Sequence, residues 1–169
     1  MKKSTNPGIQ PSSSLPDGNI VSALQRTRLW LHFTSGNPAP PSTKVRQILN
    51  ASIASLPQMS TGQSQLFALA RAILQVQILN YSSSSMKSQS NVRQIMPILL
   101  LDEATSSLDP ETESILRSII YQEFTEKGHT VISITHRLSG VTKDMRVGQD
   151  MVALLSEGKV QRISPVQNI

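Results

Sequence analysis

The apolar positions of the C-terminal half fall into a strand–helix–strand pattern. Ile98-Leu99-Leu100-Leu101 is an unbroken apolar run, entered from Pro97 and ended by Asp102 and Glu103. Such a run predicts a strand buried on both faces, and the abrupt polar stop disfavours a short buried helix. Thr130-Val131-Ile132-Ser133-Ile134-Thr135 is rich in β-branched residues and predicts a second buried strand. Between them, Asp109, Pro110, Glu111 and Glu113 form a cap and an acidic first turn. Ile115, Leu116, Ile119, Ile120 and Phe124 make that helix's buried face, and Lys127-Gly128 marks its end. A right-handed crossover would bring both strand ends to one edge, so Asp102, Glu103 and His136 are expected to emerge together. Met151-Val152-Ala153-Leu154-Leu155, Glu157-Gly158-Lys159 and Val160 read as a strand, a tight turn and a return strand. The class is α/β, a parallel sheet with flanking helices.

Upstream the period is helical. Ile20, Val21, Leu24, Leu29 and Leu31 fit one apolar face, with Trp30 as an anchor. Thr34 to Thr43 holds Gly36, Pro38, Pro40 and Pro41 and reads as a loop. Lys44 to Leu56 reads as a short helix or loose connection, with Val45, Ile48, Leu49 and Ile53 at helical spacing and Pro57 ending it. A strong helix follows, with Leu66, Leu69, Ala70, Ile73 and Leu74 on one face. Ser60 is its N-cap candidate and Gln63, three residues on, completes the spacing of a capping box. Residues 1–16 read as a disordered tail, 17–80 as one helical region, 81–91 as a Ser-rich surface loop, and 92–169 as the strand-bearing region.

Composition changes this picture little. Only 38% of residues are hydrophobic and 4% aromatic, so the core is modest. The net charge of +5 raises a nucleic-acid partner. The basic residues are scattered, with no aromatic interleaving, so none is expected. The absence of cysteine removes disulfides and thiolate metal sites. No apolar run approaches the ~18–20 residues that span a bilayer, and no apolar stretch follows Met1-Lys2-Lys3 to make a signal peptide.

Two places carry candidate chemistry. Asp102 and Glu103, adjacent at a strand end, suit a hydrated Mg²⁺ and the orientation of an attacking water; the competing reading is a strand that leaves into a polar turn. The start of the long helix, at Ser60-Thr61-Gly62-Gln63, offers free N–H groups and a positive dipole end. An ordinary helix cap is the competing reading there.

Taken together, these strings resemble a known family. Met59-Ser60-Thr61-Gly62-Gln63-Ser64-Gln65-Leu66, continuing to Leu69-Ala70-Arg71-Ala72, is similar to the signature motif of ATP-binding cassette (ABC) ATPases. Ile98 to Glu103 resembles their Walker B strand, Ala104-Thr105-Ser106-Ser107-Leu108-Asp109 their D-loop, and Thr135-His136-Arg137-Leu138 their H-loop, in the family's order. The Ser-rich stretch resembles an insertion in the second nucleotide-binding domain of fungal C-subfamily (multidrug-resistance-associated type) transporters. Met59 stands where Leu is usual, Thr61 at a small Gly-type position and Ser107 where Ala is common.

The resemblance implies a partial P-loop NTPase fold with part of the helical subdomain. It implies ATP and Mg²⁺ as cofactors, Asp102 holding the metal largely through water, Glu103 polarising the attacking water and His136 at the γ-phosphate. Ser60, Thr61, Gly62 and Gln63 would meet ATP held by an opposite domain, with Ser107 and Asp109 at the seam. The implied partners are a second nucleotide-binding domain with an intact P-loop and the transmembrane domains of a transporter, at the cytosolic face of a membrane. No Gly-x-x-x-x-Gly-Lys-Ser/Thr occurs in the 169 residues. The P-loop strand and helix are therefore expected to be absent, and the chain to be a C-terminal fragment inactive alone, its strand edge prone to aggregation. The alternative function is a non-catalytic module docking on an intact ABC domain; a chromosome-maintenance or repair ATPase is a more distant one.

Overall fold

The computed structural model describes residues 15–85, 96–106, 108–136 and 145–166. The expected tail over 1–14, residues 86–91 of the Ser-rich stretch, Ser107, Arg137 and Leu138 lie outside them. Two compact units emerge: the described residues of Met1–Leu101 with Ser107–Ile132, and those of Asp102–Ser106 with Ser133–Ile169.

The first unit is mainly helical. Helix α1 (Asp17–Arg26) ends where Thr27 turns its buried hydroxyl onto the Ala23 carbonyl at 3.0 Å. The short α2 (Trp30–Phe33) ends in the same way, the Thr34 hydroxyl donating to the Trp30 carbonyl at 2.9 Å. Two helices with a left-handed Arg28 between them (φ 59°) replace one continuous face, which is why Leu31 is turned out to 51% exposure while Leu29 and Trp30 are buried. Helix α3 (Ser42–Leu49) starts directly after Pro41, inside the expected loop. Ile53, expected on a helix face, sits exposed in a 3-10 turn.

Helix α4 runs from Thr61 to Ser85. Its first turn is a capping box: Ser60 N–H donates to Gln63 Oε1 at 2.9 Å, and Gln63 N–H donates to Ser60 Oγ at 3.2 Å. It passes the expected boundary at Tyr81, because Tyr and Ser are weak formers but not breakers and no Gly or Pro interrupts it after Gly62. Leu66, Leu69, Ala70 and Ile73 of α4 meet Ala23, Leu24, Leu29, Trp30 and Phe33, and Leu116, Ile119 and Phe124 from helix α5 (Pro110–Ile120) and its extension.

Helix α5 widens into a π-turn over Tyr121–Thr125 and closes at Gly128, whose φ of 79° is that of a left-handed C-cap. Glu123 in this turn takes Arg26 of α1, 2.6 Å away, and Lys127.

Strands β1 (Ile98–Asp102) and β2 (Thr130–Ile134) form a small parallel sheet of two strands. Their expected burial on both faces is overturned. Ile98 and Leu100 are each 62% exposed, and Ile132 is 47% exposed, while Leu99 and Val131 pack on the helices. The described helices give the sheet one apolar cover, so alternate residues face solvent.

The second unit holds the turn after β1, the end of β2, and the antiparallel hairpin β3 (Met151–Ser156) and β4 (Lys159–Pro165). Glu157 (φ 51°) and Gly158 (φ 71°) make its two-residue turn, with both backbones left-handed as a type I′ hairpin requires.

Candidate functional site

In the helical unit, two helix starts lie against each other. Asp109 caps α5: its Oδ1 accepts from the Thr112 N–H at 2.9 Å and its Oδ2 from the Thr112 hydroxyl at 2.7 Å. Those two bonds to the charged form, the backbone one first, hold the Asp109 carboxyl below its ordinary range. Pro110 follows with no N–H to satisfy. The α4 start approaches this turn through Gly62. A β-carbon there would lie 3.0 Å from the Thr112 methyl and 3.3 Å from Leu108 Cδ2, tighter than ordinary van der Waals contact. Ser60 and Thr61 are exposed. Gln63 is committed within the chain, its amide nitrogen 3.4 Å from His32 Nδ1 in addition to its box contact. The structure thus brings Gly62 together with the α5 cap.

In the other unit, the turn after β1 is built on Glu103. Its φ of 46° is left-handed, a backbone that L-residues other than Asn, Asp and Gly rarely adopt. Three hydrogen bonds hold it: Glu103 N–H donates to the Ile134 carbonyl at 3.0 Å, and the Glu103 carbonyl accepts from Ser106 N–H at 3.0 Å and Ser106 Oγ at 2.9 Å. Strained, over-determined backbone of this kind recurs at functional sites.

The side chain that this turn presents meets His136, with Glu103 Oε1 3.5 Å from His136 Nδ1. Both side chains are more than half exposed, so their attraction is screened and adds little to stability. A carboxylate and an imidazole that face solvent side by side can both contact one water or incoming oxygen.

Asp102 is exposed beside them. Among the described residues no group of three or more metal-binding side chains occurs. Adjacent carboxylates such as Asp102 and Glu103 are of the kind that hold Mg²⁺ together with waters and substrate phosphates.

Sequence reasoning missed three parts of this arrangement. Thr112, three residues after Asp109, was legible as a cap partner. Ser106 stood in the D-loop string with no role given to its hydroxyl, and His32 gave no signal because it acts through a contact 31 residues away.

No protein-family model matches this chain. It is similar to an ABC-type transporter of Gibberella zeae, 32% identical over 159 residues, covering 94% of this chain and 8% of that protein. A putative ABC transporter C family member 15 of Arabidopsis thaliana is 37% identical over 152 residues, covering 90% of this chain and 11% of that protein. An ABC transporter of Gibberella moniliformis is 43% identical over 91 residues, covering 54% of this chain and 6% of that protein. The chain thus spans about a tenth or less of the length of these curated relatives.

Proposed function

We propose that this chain, which is an ABC-transporter-related domain, supplies the C-terminal part of a nucleotide-binding domain that couples ATP hydrolysis to transport across a membrane. The observation that carries the reading is the meeting of Glu103 and His136 at 3.5 Å, on a turn whose backbone is held left-handed by three hydrogen bonds. Similarity to fungal and plant ABC transporters supports it.

In this reading Glu103 orients and polarises the attacking water. His136, beside it, donates to the γ-phosphate and steadies the same water. Asp102 anchors the hydration shell of Mg²⁺; when bound, the ion neutralises charge on the transferring phosphoryl group. Ser60, Thr61, Gly62 and Gln63 present the α4 start to ATP held by a second nucleotide-binding domain, and Ser107 and Asp109 line the seam. Transmembrane domains and a location at the cytosolic face complete the proposal. No helix among the described residues is long and apolar enough to cross a membrane.

The 169 residues contain no Gly-x-x-x-x-Gly-Lys-Ser/Thr. Phosphoryl transfer depends on such a loop and its lysine to place the phosphates. The polypeptide on its own is therefore expected neither to bind ATP tightly nor to hydrolyse it, and to act only beside residues that hold the phosphates.

The test uses the purified 169-residue chain, alone and mixed with an ABC nucleotide-binding domain that has an intact P-loop. Expected are no turnover alone and ATP-dependent association in the mixture, weakened by Ser60→Ala. ATPase activity of the chain alone that Glu103→Gln abolishes would overturn the dependence on a partner. ATP-independent association, indifferent to Ser60, would instead favour a docking module.

A further inference from the structure

Gln63 is held at both ends of its carboxamide. Its Oε1 accepts from the Ser60 N–H at 2.9 Å, and this fixes which way the amide faces. The amide nitrogen is then the atom 3.4 Å from His32 Nδ1. An amide NH₂ only donates, so a hydrogen bond at this contact requires Nδ1 to accept and the ring proton to sit on Nε2. That Nε2 is buried with no hydrogen-bond partner. An unpaired buried donor is a cost that a purely apolar ring at position 32 would not carry.

The imidazole does not depend on Gln63 for its place. Trp30 and Phe33 of α2 are buried in the core. The His32 ring stands edge-on to Phe33, centroids 5.4 Å apart, and Phe33 stands edge-on to Phe67 of α4 at 6.0 Å. The acceptor is thus fixed relative to α4 by aromatic packing.

We propose that His32 is a positioning residue for Gln63: the ring, in its Nε2–H tautomer, holds the Gln63 amide so that its oxygen closes the capping box at Ser60. The Ser60–Gln63 turn is thereby kept in one conformation before anything binds to it. The importance of that turn for nucleotide rests on the function proposed above; the positioning itself does not.

The experiment has an arm for each. In the isolated chain, the ¹⁵N spectrum of His32 should show an unprotonated Nδ1 and a protonated Nε2. His32→Phe keeps the ring packing and removes the acceptor. It should speed hydrogen exchange at the Ser60 amide by roughly 2- to 10-fold, the range of one ordinary hydrogen bond, and should add nothing in a Gln63→Ala background. The opposite tautomer in the unaltered chain, or unchanged Ser60 exchange in a folded His32→Phe variant, overturns the positioning role. The second arm measures ATP-dependent association with an intact ABC nucleotide-binding domain, where His32→Phe should weaken binding several-fold. Faster Ser60 exchange with unaltered association would uphold the positioning and overturn the nucleotide role of the turn.

Discussion

Gly62 gives the sharpest test of the packing between the two helix starts. By propensity alone, Gly62→Ala in the first turn of α4 would stabilise by up to ~1 kcal/mol. The structure argues for the opposite sign. The new methyl would stand 3.0 Å from Thr112 Cγ2 and 3.3 Å from Leu108 Cδ2. Leu108 is buried at 9% exposure and has little room to withdraw. Thr112 cannot rotate its methyl away without also moving the hydroxyl that donates to Asp109 at 2.7 Å. Forcing a methyl into such a contact costs about 1–3 kcal/mol, so the net effect is a loss of about 1 kcal/mol.

Thr112→Ser deletes the obstructing methyl and keeps the hydroxyl. In that background Gly62→Ala should be neutral or slightly stabilising, a coupling of about 1 kcal/mol. Urea titrations of the four proteins of this cycle measure it. A Gly62→Ala variant as stable as the parent, or a cycle without coupling, would refute the contact as the reason for glycine.

The α5 cap predicts a pH dependence. The Asp109 carboxyl is depressed by its bonds to Thr112, so its contribution is fully present above the unfolded-state value of about 3.9 and is lost as pH falls through the lower folded-state value. A ¹³C titration of the side chain should place its midpoint below that of an unfolded aspartate; a midpoint at or above it would contradict the cap. Glu123→Gln should destabilise the chain by about 1 kcal/mol at low salt and by less at 1 M salt, since it weakens partly exposed pairs with Arg26 and Lys127. Urea titrations at both salt concentrations check this, and an equal loss at both would point to packing instead.

Much of the local structure was legible because its causes are local. The Ser60–Gln63 box, the Asp109-Pro110 start and the Gly128 stop are set by side chains within a few residues of the backbone groups they satisfy. That Glu103 and His136 lie at one edge was also legible, because a strand–helix–strand unit with parallel strands brings both strand ends to the same side. The burial of β1 and β2 was not. An apolar run reports what a strand can bury, and whether Ile98, Leu100 and Ile132 are covered depends on the layer opposite them. The turn at Arg28, which exposes Leu31, and the π-turn at Tyr121 were equally silent. Each is chosen by core packing among backbones of similar local energy. His32 lay furthest from view, since its partner is 31 residues away.

The left-handed Glu103 has a consequence for inheritance. At φ 46° the backbone favours glycine, asparagine or aspartate, and it penalises every longer or branched side chain. Mutational drift at a codon under stability selection alone would run toward those three. Glutamate carries its carboxylate there on a longer arm, and aspartate would satisfy the backbone while falling one methylene short. Among descendants of this gene, release of any selection on that carboxylate would therefore leave position 103 free to move toward glycine, asparagine or aspartate at a gain in backbone energy.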